Sequence, residues 1–180
     1  IMGEVLSGSA GQNTALQAAI QAGLPIDKTA YVINQVCGSG LRSVAAGYQA
    51  IMSNDADIIV AGGQESMSNA PHAINIRDGQ KLEESKLVDT MIKDGLWDAF
   101  NGYHMGITAE NVASKWQITR KDQDDFALSS QTKAEKAQKD EKFKNEIVPV
   151  VLKSNKGDSI FEVDEHPRAG MTVEALTRLD

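Results

Sequence analysis

Residues 34–43 read NQVCGSGLRS, and they join two different kinds of pattern. To the left, Ala30-Tyr-Val-Ile-Asn-Gln-Val36 is a β-branched run of strand length. To the right, Leu41, Val44, Ala45, Tyr48 and Ile51 recur at helical spacing, and a second short β-branched run, Asp57-Ile-Ile-Val-Ala61, follows. Strand, helix and strand at these lengths suit a right-handed crossover between parallel strands. Upstream, Thr14 to Ala22 predicts an Ala-rich helix stopped by Gly23 and Pro25. The fold class is α/β.

Cys37, inside that junction, is the single cysteine of the chain. A lone cysteine in an α/β core is ordinarily an inert small hydrophobe. Its placement here argues for a nucleophile. A cysteine where a strand ends and a helix begins faces the first helical N–H groups and the positive end of the helix dipole, which favour thiolate over thiol. Gly38 and Gly40 leave room for an acyl group to approach, the steric logic of the strand-turn-helix elbow of serine hydrolases with sulfur in place of oxygen. With no second cysteine, neither an internal disulfide nor a resolved redox switch is available, which fits a reducing compartment. The cytoplasm is expected, and an organelle that removes a transit peptide, such as the mitochondrial matrix, would give the same signature.

The remaining composition narrows the function classes. Of 180 residues, 41% are apolar and 24% charged, and 25 acids against 18 bases leave a net charge of −7. That balance repels phosphate backbones and anionic lipid, so neither nucleic acid nor membrane is an expected partner. No apolar stretch approaches the roughly 20 residues of a membrane span. Residues 1–67 carry five acids and two bases, and residues 68–180 carry twenty acids and sixteen bases. The contrast predicts two domains: 1–67, a layered core covered by other elements, and 68–180, a solvated excursion on its surface. In the second, loop and short helices are expected from Ser66 to Gly95, with a break at Arg77-Asp-Gly79. Thr119-Arg-Lys-Asp122 has capping-box spacing, and Phe126, Ala127, Ser130, Ala134 and Ala137 are expected to line one side of the helix that follows. Its Lys133, Lys136 and Lys139 read as a wet face. Ile147-Val-Pro-Val-Val-Leu152 predicts a strand that Pro149 confines to an edge or to its first turn, with a turn at Lys156-Gly-Asp158. The pattern is already under way at Ile1 and stops inside a young helix at Asp180, which predicts a piece of a longer chain.

Asn34-Gln-Val-Cys-Gly-Ser-Gly40, followed by Ala61-Gly-Gly-Gln-Glu-Ser-Met-Ser68, resembles the signature of the thiolases. The resemblance extends along the chain through Gly11-Gln-Asn13, Lys86-Leu-Val-Asp89, Asp94-Gly-Leu-Trp-Asp98, Tyr103-His-Met-Gly106, Ile107-Thr-Ala-Glu-Asn-Val112 and Asp164-Glu-His-Pro-Arg168. It implies a layered α/β thiolase core, partial here, with an inserted loop domain covering coenzyme A. It also implies a two-step Claisen exchange through an acyl-cysteine, with acetyl-CoA and acetoacetyl-CoA as substrates. Coenzyme A thioester is the substrate, and no cofactor is implied.

By the same resemblance Cys37 matches the acylated cysteine. Leu96, His104 and Met105 border the acyl pocket and pantetheine arm, the histidine–methionine pair narrowing it to short chains. Arg168 meets the nucleotide end of coenzyme A, with Gln131 a weaker match. His72 and His166 read as ordinary loop residues, and three scattered histidines with one cysteine lack the spacing of a zinc site. The family's Gly-His-Pro, Cys-x-Gly and Asn-Glu-x-Phe motifs are not in these 180 residues. The resemblance therefore implies an amino-terminal half whose second catalytic half lies in a carboxyl-terminal partner segment. It further implies a homo-oligomer, dimer or tetramer, with His72 to Glu84 where the family has its tetramerisation loop. A degradative 3-ketoacyl-CoA thiolase and a non-catalytic acyl- or lipid-binding relative are the alternatives.

Overall fold

The computed structural model describes residues 1–77, 79 and 86–179, and packing divides the chain into Ile1–Thr108 and Ala109–Asp180. This boundary falls on compactness, inside a helix, whereas the division at 67/68 concerns which segments are core and which are covering.

In the first unit, β1 (Met2–Gly3) lies between β2 (Val32–Ile33) and β3 (Gly62–Gly63), and both neighbours run parallel to it. The α/β expectation holds, with α1 (Thr14–Gln21) and α2 (Ser39–Met52) as the helices between strands. The β2–α2–β3 crossover passes over β1, and the ladders are shorter than the β-branched runs, the second displaced past Ala61. Register with β1 decides this: Met2 sits opposite Val32 and Gly62, so the second ladder forms at the glycine pair and not along Asp57–Ala61.

Helix α1 starts at Asn13, whose side chain accepts the Leu16 N–H and donates to Ala30 O at 2.9 Å, tying the helix start to the approach to β2. Helix α2 packs through its small residues. Ser39, Ser43 and Gly47, spaced by four, are buried, whereas Leu41 is 78% exposed and Val44 and Tyr48 are exposed as well. The periodic apolar face is thus the outer one. The reason is distance of approach: a Cβ on Gly3 would lie 2.4 Å from the Ser39 carbonyl carbon, and one on Gly47 2.9 Å from Ile59 Cγ2. The fully buried Ser43 Oγ lies 2.7 Å from both Gly40 O and Gly62 O, so its hydroxyl bridges helix and sheet.

The expected short helices between loops are present in the rest of this unit, as a 3-10 turn at Met67–Asn69 and a π-helical turn further on, and two short antiparallel pairs are added to them. β4 (His72–Ala73) pairs antiparallel with β5 (Val88–Asp89), a π-helical turn spans Met91–Leu96, and β6 (Trp97–Asp98) pairs with β7 (Tyr103–His104). Two-residue strands carry no period for a sequence pattern to display. The expected break at Arg77-Asp-Gly79 is a turn at Arg77 with Gly79 at φ 85°; Asp78, and residues 80–84 of the expected tetramerisation loop, lie outside the described residues.

Helix α3 (Met105–Trp116) crosses the boundary between the units, and α4 (Arg120–Lys139) opens the second unit's main helix. The capping box is formed: Thr119 Oγ1 accepts the Asp122 N–H at 3.2 Å, and Asp122 Oδ2 accepts the Thr119 N–H at 2.9 Å. The inner face of α4 is rotated from the expected one. Asp124 is buried and Ala127, Leu128, Gln131, Ala134 and Ala137 are half-buried, so the three expected alanines face inward, while Phe126 is 78% exposed and Ser130 is exposed. Arg120 sets the rotation: its guanidinium reaches Asp124 at 3.0 Å and the Leu176 and Leu179 carbonyls at 2.9 and 2.7 Å, drawing α5 (Val173–Leu176) onto that side. β8 (Val150–Leu152) is the later half of the expected strand, starting after Pro149 and not at Ile147, and pairs antiparallel with β9 (Ser159–Phe161). Gly157, at φ 113°, lies in the turn between them. Among the described residues no helix is long and apolar enough to cross a membrane.

Candidate functional site

The β2–α2 junction folds as a tight, strained turn. Val36 has φ 49°, in the left-handed region that a β-branched residue rarely occupies. Strain of this kind, of order 1–3 kcal/mol, persists only where neighbours hold it. Here the holders are identifiable. Asn34 Oδ1 accepts the Val36 N–H at 2.9 Å, and Ser39 Oγ accepts the Gln35 N–H at 2.8 Å while donating to Val36 O at 2.6 Å. The result presents Cys37, the next residue, with its thiol exposed.

This geometry changes the expected electrostatics. The Gly38 and Ser39 N–H groups bond back to Gln35 O and Val36 O, each at 3.1 Å, so they are not directed at the sulfur. What remains is the helix terminus as a whole and the backbone of Cys37, which forms an isolated bridge with Gln35. The N–H on the nucleophile's own residue is the nearest backbone donor for an oxygen bound at the sulfur.

Cys37 opens onto a cleft of about 400 Å³ within the first unit. Its lining is mostly apolar: Val5 and Leu6 from the segment after β1, Val36 beside the sulfur, Met67, and Met91 and Leu96 from the π-helical turn. Gln64 and Glu65, just past β3, supply polar groups. A cleft of this size, with one nucleophile and few polar groups, suits a short acyl chain.

The expected site residues are distributed as follows. Leu96 shares the cleft with Cys37. His104 and Met105 belong to the same unit, at the β7–α3 join, but not to the cleft lining. His104 is oriented by its neighbour, Nδ1 accepting the Gly106 N–H at 3.0 Å, which leaves Nε2 as the donor of a neutral ring. Gln131 and Arg168 are brought together in the second unit: Gln131 Oε1 accepts the Arg168 N–H at 2.9 Å. That bond uses the arginine's backbone and not its guanidinium. His72 Nε2 lies 4.0 Å from Asp89 Oδ2 across the β4–β5 pair, and His166 donates its N–H to Asp164 Oδ1 at 3.2 Å. Both read as local structure. The sequence pattern does not mark Leu6, Met91, Gln64 or Glu65 as cleft residues, although the last two stand in the glycine-rich motif after β3. Their convergence is tertiary, from segments some sixty residues apart.

Comparison with known proteins agrees with this geometry. The family described as thiolase, N-terminal domain, matches residues 1–180. The acetyl-CoA acetyltransferase of Paracoccus denitrificans is 61% identical over 98% of this chain and 45% of its own length. That of Rhizobium meliloti is 59% identical over 99% of this chain and 46% of its own. The crystal structure of the Bacillus anthracis acetyl-CoA acetyltransferase superposes with a TM-score of 0.92 at 37% identity, covering 98% of this chain and 45% of that one. The chain thus spans somewhat under half the length of these relatives. With a matching motif set, a matching fold and a family match from end to end, the chain belongs to the thiolase family, as its amino-terminal domain.

Proposed function

We propose that this chain supplies the acyl-accepting half of an acetyl-CoA C-acetyltransferase, which reversibly condenses two acetyl-CoA into acetoacetyl-CoA and free coenzyme A. The observation that carries the reading is the exposed Cys37 thiol on a strained turn at the mouth of a small apolar cleft. Identity of 61% to a relative named for this reaction supports the acetyl substrate.

In the first step Cys37 Sγ attacks the thioester carbonyl, and coenzyme A leaves with the proton that the thiol gives up. The Cys37 N–H donates to the carbonyl oxygen as charge develops there. In the second step the α-carbon of another acetyl-CoA loses a proton and attacks the acyl carbon, and the Cys37 thiolate is released. The two bases this sequence requires are supplied, in the family, by a carboxyl-terminal half. Leu96, Met105 and His104 would bound the acyl group and pantetheine arm, and Gln131 with Arg168 would meet the nucleotide end. The partner is that further half of the same protein, in a cytoplasmic homo-oligomer.

The test is thiolysis. Cleavage of acetoacetyl-CoA by the intact protein is expected to exceed that of long-chain 3-ketoacyl-CoA, and Cys37→Ser is expected to abolish it. The 180-residue chain alone should show no turnover, since loss of a general base is worth roughly 100- to 10,000-fold in rate. Preference for long chains would support a degradative thiolase, and acyl binding without turnover by the intact protein a non-catalytic relative.

A further inference from the structure

The β1 ladder ends with Gly3, and the Glu4 N–H still reaches Ile33 O at 3.1 Å. The next two N–H groups have left the sheet. One carboxylate takes both: Glu65 Oε2 accepts from Val5 N at 3.0 Å and Glu65 Oε1 from Leu6 N at 2.8 Å. Two consecutive amides on one anion form a bidentate, charge-assisted pair, stronger than two neutral bonds. Gln64 completes the brace, donating from Nε2 to Glu4 Oε2 at 2.9 Å, and the same buried carboxylate accepts the Thr14 hydroxyl.

Two adjacent residues after β3 therefore hold three successive residues after β1. Two of the three, Val5 and Leu6, line the cleft with Cys37. Leu6 Cδ2 stands 3.9 Å from where a Cβ of Gly95 would be, so its side chain meets the π-helical turn, whose Met91 and Leu96 also line the cleft. Leu6 is thus part of the continuous wall around the cleft, and its backbone is held by Glu65.

We propose that Glu65 is a positioning residue that limits the size of the group able to reach Cys37, acting through the backbone of Val5 and Leu6. The proposal deepens the acyltransferase reading by naming what selects a short acyl group, and rests on that reading for its substrates alone. Without the carboxylate, the Val5 and Leu6 amides turn to water and the wall relaxes, while the turn that presents Cys37 keeps its own hydrogen bonds to Asn34 and Ser39.

The experiment compares intact wild-type protein with Glu65→Ala, Glu65→Gln and Ser43→Ala. Ser43→Ala is a control that loses a buried hydroxyl outside the cleft lining. Rates of Cys37 alkylation are measured with N-methylmaleimide and the bulkier N-cyclohexylmaleimide, and rates of acylation with acetyl-CoA and hexanoyl-CoA. In Glu65→Ala the large-to-small ratio of maleimide rates is expected to rise about fivefold or more. Glu65→Gln, which keeps one acceptor oxygen, should fall between, and Ser43→Ala should keep the wild-type ratio. If Glu65→Ala does not fold, the Glu65→Gln ratio decides. An unchanged ratio in the folded variant, or an equal rise in Ser43→Ala, overturns the proposal. Wild-type protein that no acyl-CoA modifies would instead overturn the acyltransferase reading, and the maleimide ratio would still decide the role of Glu65.

Discussion

Helices α2 and α4 show two ways of holding a helix in place. Helix α2 has no side-chain cap at its start, and its buried contacts are Ser39, Ser43 and Gly47 against the sheet. Helix α4 has a complete capping box and ion pairs four residues apart, Lys121 to Asp125 at 2.5 Å and Lys136 to Asp140 at 2.6 Å. Those pairs are solvated, and each contributes little. Order in α2 thus comes from long-range close approach of backbones, and in α4 largely from its own neighbours along the chain, joined to later segments only by side-chain hydrogen bonds from Arg120, Gln131, Glu135 and Gln138. The chemistry sits on the first kind. A strained turn persists only when rigid long-range packing holds it, and a cap with surface charges would not hold Val36 at φ 49°.

The contrast is broken most severely at Gly3. Gly3→Ala would place a methyl 2.4 Å from a backbone carbon of α2, which no side-chain rotation relieves. A loss of about 3 kcal/mol or more is expected, read as a large fall in thermal midpoint. Amide exchange should quicken across β1 and α2 while α4 keeps its protection. Equal loss of protection in both helices would show that they are not held independently.

A smaller effect is expected at the tie between α4 and α5. Arg120→Met leaves the Leu176 and Leu179 carbonyls and the buried Asp124 without the guanidinium, a cost of about 1–2 kcal/mol. Exchange should quicken in α5 while the centre of α4 stays protected.

The smallest effect belongs to the cap. Thr119→Ala should cost about 1 kcal/mol and leave the Cys37 turn untouched. The cap also predicts an acid dependence. The Thr119 hydroxyl, and after it the Thr119 N–H, hold the Asp122 carboxyl below its usual range. A carboxyl lowered by folding stabilises fully above its unfolded value of about 3.9, and that contribution disappears as pH falls through the folded value. In a carbon-13 titration the Asp122 midpoint should therefore move upward in Thr119→Ala. An unmoved midpoint would show that the cap does not govern the carboxyl.

The same contrast explains what was legible in the sequence. Local signals were readable: the Thr119 and Asp122 cap, the helix from Thr14, the strand after Pro149, and Cys37 between strand and helix. Long-range pairing was not. The ladder fell on Gly62–Gly63 because register with β1 placed it there, and α2 turned its small residues inward because two glycines allow close approach, so Leu41, Val44 and Tyr48 were left outside. The expected inner face of α4 failed at Phe126 and Ser130 because a single arginine, tied to residues some fifty-six positions away, sets the rotation. At the site, the nucleophile was legible from its motif, whereas the cleft wall was not. Val5, Leu6 and Glu65 meet through backbone amides, which leave no mark in the residue pattern.

The central claim is that this turn exists to present Cys37 to an acyl thioester. The most direct measurement is mass spectrometry of the intact protein after brief incubation with acetyl-CoA, with peptide mapping of the modified residue. One acetyl group on Cys37, removed by hydroxylamine or by added coenzyme A and missing from Cys37→Ser, is the predicted result. An unmodified Cys37, or an acetyl group that persists in Cys37→Ser, would contradict it.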